Sequence, residues 1–194
     1  MKLLNLLSFS AILMTSVGFS QSNNPLYLDA NQPVEVRLDD LMSRMTLEEK
    51  VYQMNQFVGL DHMREAEKNL SVEDLHSNDA QGFYKGLFSD DVAQMTKEGK
   101  IGSFLHVLTT EEANLLQELA FQSRLKIPIL IGIDAIHGNA LVSGTTVYPS
   151  PISLASTWSD AFLYDVGKQS AKEMRATGSH WAFTPNIDVL RDPR

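Results

Sequence analysis

The sequence predicts an α/β fold with parallel strands, and three observations carry that prediction. Segments with apolar residues at helical spacing alternate with short apolar runs from residue 89 to 183. The turns between them are short, which suits parallel strands joined by right-handed crossovers. One run, 129–133 within ILIGIDAIHG, follows Pro128 and stops at a carboxylate, a histidine and glycines. A run of that length suits a strand buried on both faces, and proline is tolerated where a strand begins.

The chain starts with Lys2 ahead of an apolar stretch over 3–17, followed by the small residues Gly18 and Ser20. That pattern reads as a secretory signal over 1–20, cleaved after Ser20. A membrane anchor is the alternative, but Asn5, Ser8, Ser10, Thr15 and Ser16 leave too few continuous apolar residues to span a bilayer. Residues 21–33, rich in Asn and Pro, read as an irregular lead-in. Val36, Leu38, Leu41, Met42 and Met45 then set up a helix from Val34. Thr46 opens TLEE, a capping box in which the Thr46 hydroxyl and Glu49 carboxylate each take the other's backbone N–H, so a second helix starts at Leu47 and buries Val51 and Met54. Residues 56–85 show no sustained period and read as a long surface excursion, with one helical turn over 71–75.

Ser89 is placed to cap a helix over 90–98, and Gly99 to stop it. A short strand over 101–107 follows. Thr109 with Glu112 repeats the capping box, and Leu115, Leu116, Leu119 and Ala120 give the next helix one apolar face. Beyond the 129–133 strand, residues 139–153 form a loop by composition. Ser159 caps a helix over 160–177 that presents Leu163, Val166, Ser170 and Met174 along one face, with Gly178 as its stop. Trp181, Ala182 and Phe183 make the last strand, with Trp181 expected in the core.

Composition narrows the function. Of 194 residues 43% are hydrophobic and 21% charged, an ordinary globular balance. The formal charge of −8 becomes −9 once the signal is removed, because Lys2 is the only charged residue lost, and an acidic surface argues against nucleic acid or anionic membrane as partner. With no cysteine, the exported chain relies on its core alone and carries no lipid on an N-terminal cysteine. No GxGxxG, P-loop or GxSxG points to nucleotides or serine hydrolysis.

Asp134 is the first candidate site residue, because ligands of α/β folds gather at the carboxyl ends of parallel strands. Its carboxylate can accept two neighbouring sugar hydroxyls, bind a metal or take a guanidinium; it can also simply cap the following loop. His62 and His76 lie near Asp61 and Asp79 without a second ligand at metal spacing, and read as solvated surface histidines. His106 reads as a core or rim histidine.

Four segments then bring in a family. MTLEEKVYQM at 45–54, IPILIGIDAIHGN at 127–139, EMRATGSHWAFTPNIDV at 173–189 and RDPR at 191–194 together resemble the start of a glycoside hydrolase family 3 enzyme of the exo-acting β-glucosidase type. The resemblance implies a (β/α)8 TIM-barrel domain, of which 34–194 would be the N-terminal portion, followed by a second α/β domain with the active site between them. It implies retaining hydrolysis of terminal β-D-glucosyl residues by two carboxyl groups about 5–5.5 Å apart, with no cofactor. Asp134 matches the family aspartate that binds hydroxyls of the non-reducing sugar. His137 matches a recurrent family histidine and is expected to structure its loop. Asp188, Arg191 and Asp192 also match, as an internal ion pair.

The family motif continues past RDPR with Trp-Gly-Arg, and the nucleophile and acid/base of the family lie farther on. The expectation is therefore a truncated barrel, inactive alone, with no catalytic residue to assign and Asp134 as its share of the pocket. The implied partner is a β-linked oligosaccharide or glucoside, met in the periplasm or outside the cell. A β-xylosidase of the same family and a non-catalytic exported sugar-binding protein are the alternatives.

Overall fold

The computed structural model describes residues 25–71, 73 and 84–186. The signal at 1–20, the 71–75 turn in large part, His76, and the Asp188, Arg191 and Asp192 group lie outside the described residues. The chain divides into two compact units at Arg44 and Met45.

In the first unit the lead-in holds a 3-10 turn, Leu26–Leu28, before α1 (Val34–Arg44). Asp40 joins the two: one carboxylate oxygen accepts the Tyr27 N–H at 3.1 Å and the other takes the Arg44 guanidinium at 2.9 Å. Those bonds hold the Asp40 carboxyl below the usual carboxylate range. The predicted apolar stripe of α1 exists, but none of its residues is buried.

The second unit begins with the predicted capping box. Thr46 Oγ1 accepts the Glu49 N–H at 3.2 Å and Glu49 Oε2 accepts the Thr46 N–H at 2.9 Å, opening α2 (Leu47–Tyr52). The expectation that α2 buries Val51 and Met54 fails: they are 52% and 83% exposed. Tight turns from Val51 to Met54 and from Tyr52 to Asn55 end the helix and feed the chain into β1 (Gln56–Val58). There Gly102 passes so close that a Cβ on it would stand 2.0 Å from the Gln53 carbonyl oxygen, a contact only glycine permits.

The surface excursion expected over 56–85 is also overturned for its described first half, 56–69. It contains β1 and a ten-residue helix, α3 (Leu60–Asn69), whose two buried residues are Leu60 and Met63. A three-residue strand and a helix with so small an apolar stripe fall below the length at which periodicity can be recognised. α4 (Ser89–Lys97) leads to β2 (Ser103–Leu105), α5 (Thr110–Ala120) to β3 (Leu130–Ile133), and α6 (Pro151–Ala155) with α7 (Asp160–Ala176) to β4 (Trp181–Ala182). Ser89 opens α4 without capping it, because its hydroxyl and N–H both bond the Glu67 carboxylate.

The four strands are parallel, in the order β1-β2-β3-β4. Register aligns Phe57 with Phe104 and Phe104 with Ile131, and these side chains form the core with Leu60, Val92, Leu116 and Ile129. The alternate positions face the other way. There Leu130 is 53% and Trp181 46% exposed, so that face of β3 is buried at Gly132 but not at Leu130, and Trp181 is not in the core. Among the described residues helices cover the first face, with α3 beside α4 and α4 beside α5. On the second face Trp181 meets Phe183 edge-on at 4.7 Å, and Gly132 leaves the room that Phe183 fills.

Candidate functional site

The carboxyl ends of β1, β2 and β3 bring together His62, His106 and Asp134. Leu105 O accepts the Gly59 N–H at 2.9 Å and Gly132 O accepts the His106 N–H at 2.9 Å, so the parallel ladder continues one residue past each strand. It delivers the chain directly beneath these side chains.

Asp134 follows β3 immediately and is paired with His106, whose Nε2 lies 2.9 Å from Asp134 Oδ2. A carboxylate only accepts, so Nε2 carries the proton in this contact. The pair is partly open, at 26% exposure for the His106 side chain and 43% for that of Asp134. The His62 ring stands 6.5 Å from that of His106.

This geometry sorts the readings of Asp134. Its carboxylate bonds the imidazole from the neighbouring strand rather than N–H groups of its own loop, so it does not act as a loop cap. Among the described residues no guanidinium pairs with it, and no group of three or more metal-ligating side chains occurs. His106 thus occupies Oδ2 and leaves Oδ1 as a further acceptor at the strand end.

The sequence places His106 only in the core or at its rim, although the rule that flags Asp134 applies to it equally. It occupies the residue after β2 and has a φ of 56°, in the left-handed region that non-glycine residues seldom enter. Glu112 also has a role that its spacing does not reveal. Its N–H is capped by Thr109 Oγ1 at 3.1 Å, but its carboxylate does not complete the expected capping box. It turns instead to the start of α3, where Oε1 accepts the Asp61 N–H at 3.0 Å. Burial pushes the Glu112 carboxyl above its ordinary range, and the N–H groups of Asp61 and Leu60 partly oppose this. A Cβ on Gly59 would meet Glu112 Oε1 at 2.9 Å and His106 O at 3.0 Å, so Glu112, the start of α3 and His106 are packed as one block.

The loop after Asp134 is built around Gly138, with a φ of 97° and Thr146 O pressed against it. His137 O accepts the Tyr148 N–H at 2.8 Å, which ties the loop to itself. Behind it lies a recess of about 500 Å³ lined by Leu154, Val166, Met174 and Ala182. Its walls are mostly apolar, with His137, Ser170 and Thr184 as polar members, and Asp134 is not among them.

Known proteins share this sequence pattern and this fold. Residues 46–194 match the glycosyl hydrolase family 3 N terminal domain, starting at the N-cap of α2. The chain is 29% identical to a periplasmic β-glucosidase of Salmonella typhimurium over 174 residues, 89% of this chain and 18% of that protein. A β-xylosidase of Formosa agariphila is 34% identical over 96 residues, 46% of this chain and 13% of that protein. Among solved structures, a variant of an exo-1,3/1,4-β-glucanase from a Pseudoalteromonas species superposes with a TM-score of 0.58 at 26% identity, over 81% of this chain and 24% of that one. The chain thus spans less than a third of the length of these relatives. By the match over 46–194, and by four parallel strands of TIM-barrel type, the chain belongs to glycoside hydrolase family 3.

Proposed function

We propose that the protein to which this chain belongs removes terminal non-reducing β-D-glucosyl residues by retaining hydrolysis, and that Asp134 binds hydroxyls of the departing sugar. Membership of family 3 supports the reaction class. The observation that carries the role of Asp134 is its half-open carboxylate at the end of β3, held on one side by His106 and paired with no lysine or arginine among the described residues that would use up its acceptor capacity. Retention requires a nucleophile and an acid/base about 5–5.5 Å apart. No residue of this chain is assigned to either role, and the reaction needs no cofactor.

Residues 34–194 are read as the first part of the barrel domain, and 1–20 as an export signal. The periplasmic naming of the Salmonella relative supports export, to the periplasm or beyond. An acidic chain of this kind works on neutral glucosides rather than nucleic acid or membrane. The Formosa relative named β-xylosidase favours a second reading, in which the same site takes a terminal xylosyl residue.

The test is hydrolysis of nitrophenyl β-glucoside and β-xyloside by the full reading frame encoding this chain, with the anomer of the released sugar followed by NMR. Faster release from the glucoside with the β-anomer formed first is expected. Preference for the xyloside would transfer the proposal to the second reading, and an α-anomer would rule out retention.

A further inference from the structure

The His106–Asp134 contact joins two observations that loop geometry alone does not explain. His106 holds a φ of 56°, and the only other non-glycine residues at positive φ among those described are Lys126 and Trp158. Side chains disfavour that region, so the surrounding structure must impose it. Here it is imposed from both sides: Gly132 O holds the His106 N–H at 2.9 Å, and His106 O lies against Gly59 where a Cβ would come within 3.0 Å. The outcome is an imidazole turned across the strand end onto Asp134 Oδ2, at 2.9 Å.

We propose that His106 is a positioning residue of the sugar site: from its left-handed backbone it grips Asp134 Oδ2 and thereby aims Oδ1 at a hydroxyl of the bound sugar. The inference rests on the sugar-binding reading of Asp134 given above. A carboxylate on a loop can rotate about two side-chain bonds, and a single N–H donor on one oxygen removes that freedom before the ligand arrives. The bond is charge-assisted and directional, so it orients the carboxylate more firmly than a neutral contact would. It also divides the two oxygens between tasks. Oδ2 serves the protein and Oδ1 serves the ligand.

Two other titratable groups stand near the pair. The neighbouring His62 ring is 6.5 Å away, and the buried carboxylate of Glu112 is taken by the N–H groups that start α3. Among the described residues no lysine or arginine pairs with either partner.

The test uses the full reading frame and five variants. His106→Asn tolerates the left-handed backbone, but its amide nitrogen is too short to reach Asp134. His106→Gly suits the backbone still better and removes the side chain, which guards against a folding failure of the first. His106→Gln places an amide N–H at about the reach of Nε2. Asp134→Asn, alone and combined with His106→Asn, completes a double-mutant cycle.

The expected result is that Asn and Gly each raise KM for nitrophenyl β-glucoside and lower kcat/KM about tenfold, that Gln recovers most of the loss, and that Asp134→Asn is made no worse by His106→Asn. A merely structural role would lower the active fraction, and so kcat, with KM unchanged and Gln no better than Asn. That pattern would overturn the inference while leaving Asp134 in the site. An Asp134→Asn protein with unchanged kcat/KM would overturn both.

Discussion

Glu112 is the residue whose surroundings most change its chemistry. Its side chain is buried, at 4% exposure, yet it ends two N–H groups at the start of α3. Because burial raises the carboxyl above its ordinary range, the folded protein holds a proton on it more readily than the unfolded chain. Its contribution to stability is therefore fully present below the unfolded pKa and is lost as pH rises through the folded one. Glu112→Gln keeps an acceptor for the Asp61 N–H without the buried charge, so it should flatten this part of the pH dependence and melt no lower than wild type at neutral pH. Glu112→Ala leaves the N–H groups without their acceptor and should cost about 1–3 kcal/mol. Melting curves of the three proteins from about pH 4 to 8 check this; equal losses for Gln and Ala would contradict it. Sequence alone puts Glu112 in a capping box because TTEE has the right spacing. Spacing cannot register that a second helix start, fifty residues earlier, competes for the same carboxylate.

At the scale of elements, α2 shows where such a motif does hold. Glu49 closes the capping box and also takes Arg124, with Nε 2.9 Å from Oε1, so one carboxylate joins α2 to the turn after α5. The Arg124 guanidinium, with the Thr46 bonds, keeps the Glu49 carboxyl below its usual range. Thr46→Ala should lower stability by about 1 kcal/mol through the lost cap, read as a shift in denaturation midpoint at unchanged slope. No shift would mean that α2 is held by Arg124 alone. The long helices α5 and α7 are legible in the sequence because each has a polar cap and an apolar face, and α7 also has a defined stop; Ser159 caps α7 at Phe162 N and Gly178 follows it with a φ of 92°. β1 and α3 are not, because one buried phenylalanine and two buried apolar residues are too few to set a period. Asp134 is legible because it ends the one sustained apolar run. The role of His106 is not, since its partner is 28 residues away and only the parallel register of β2 with β3 brings them together.

At the scale of the molecule, the sheet has, among the described residues, two edges, β1 and β4, and one incompletely covered face. The outward N–H of Val58 on β1 is taken by the Tyr84 hydroxyl at 3.1 Å, with the Tyr84 ring 4.6 Å from that of Phe57, so that edge is partly closed. Leu130 and Trp181 remain half exposed on the open face, and Leu163 at 37% borders the apolar recess. Residues 21–194 made alone should therefore self-associate and melt broadly, because uncovered apolar surface and an open strand edge both favour association. A monomer with a sharp melting transition would contradict that expectation. The same sheet underlies the proposed function, since parallel register carries three strand ends to one place and puts an acceptor at the third.

The measurement that tests this most directly is kcat/KM of the full reading frame on nitrophenyl β-glucoside, compared between wild type and Asp134→Asn with their melting temperatures matched. Removing one charged hydrogen bond to a sugar hydroxyl predicts a fall of about 10- to 100-fold with the fold intact. An unchanged kcat/KM in a folded, active enzyme would contradict the assignment of Asp134 to the sugar.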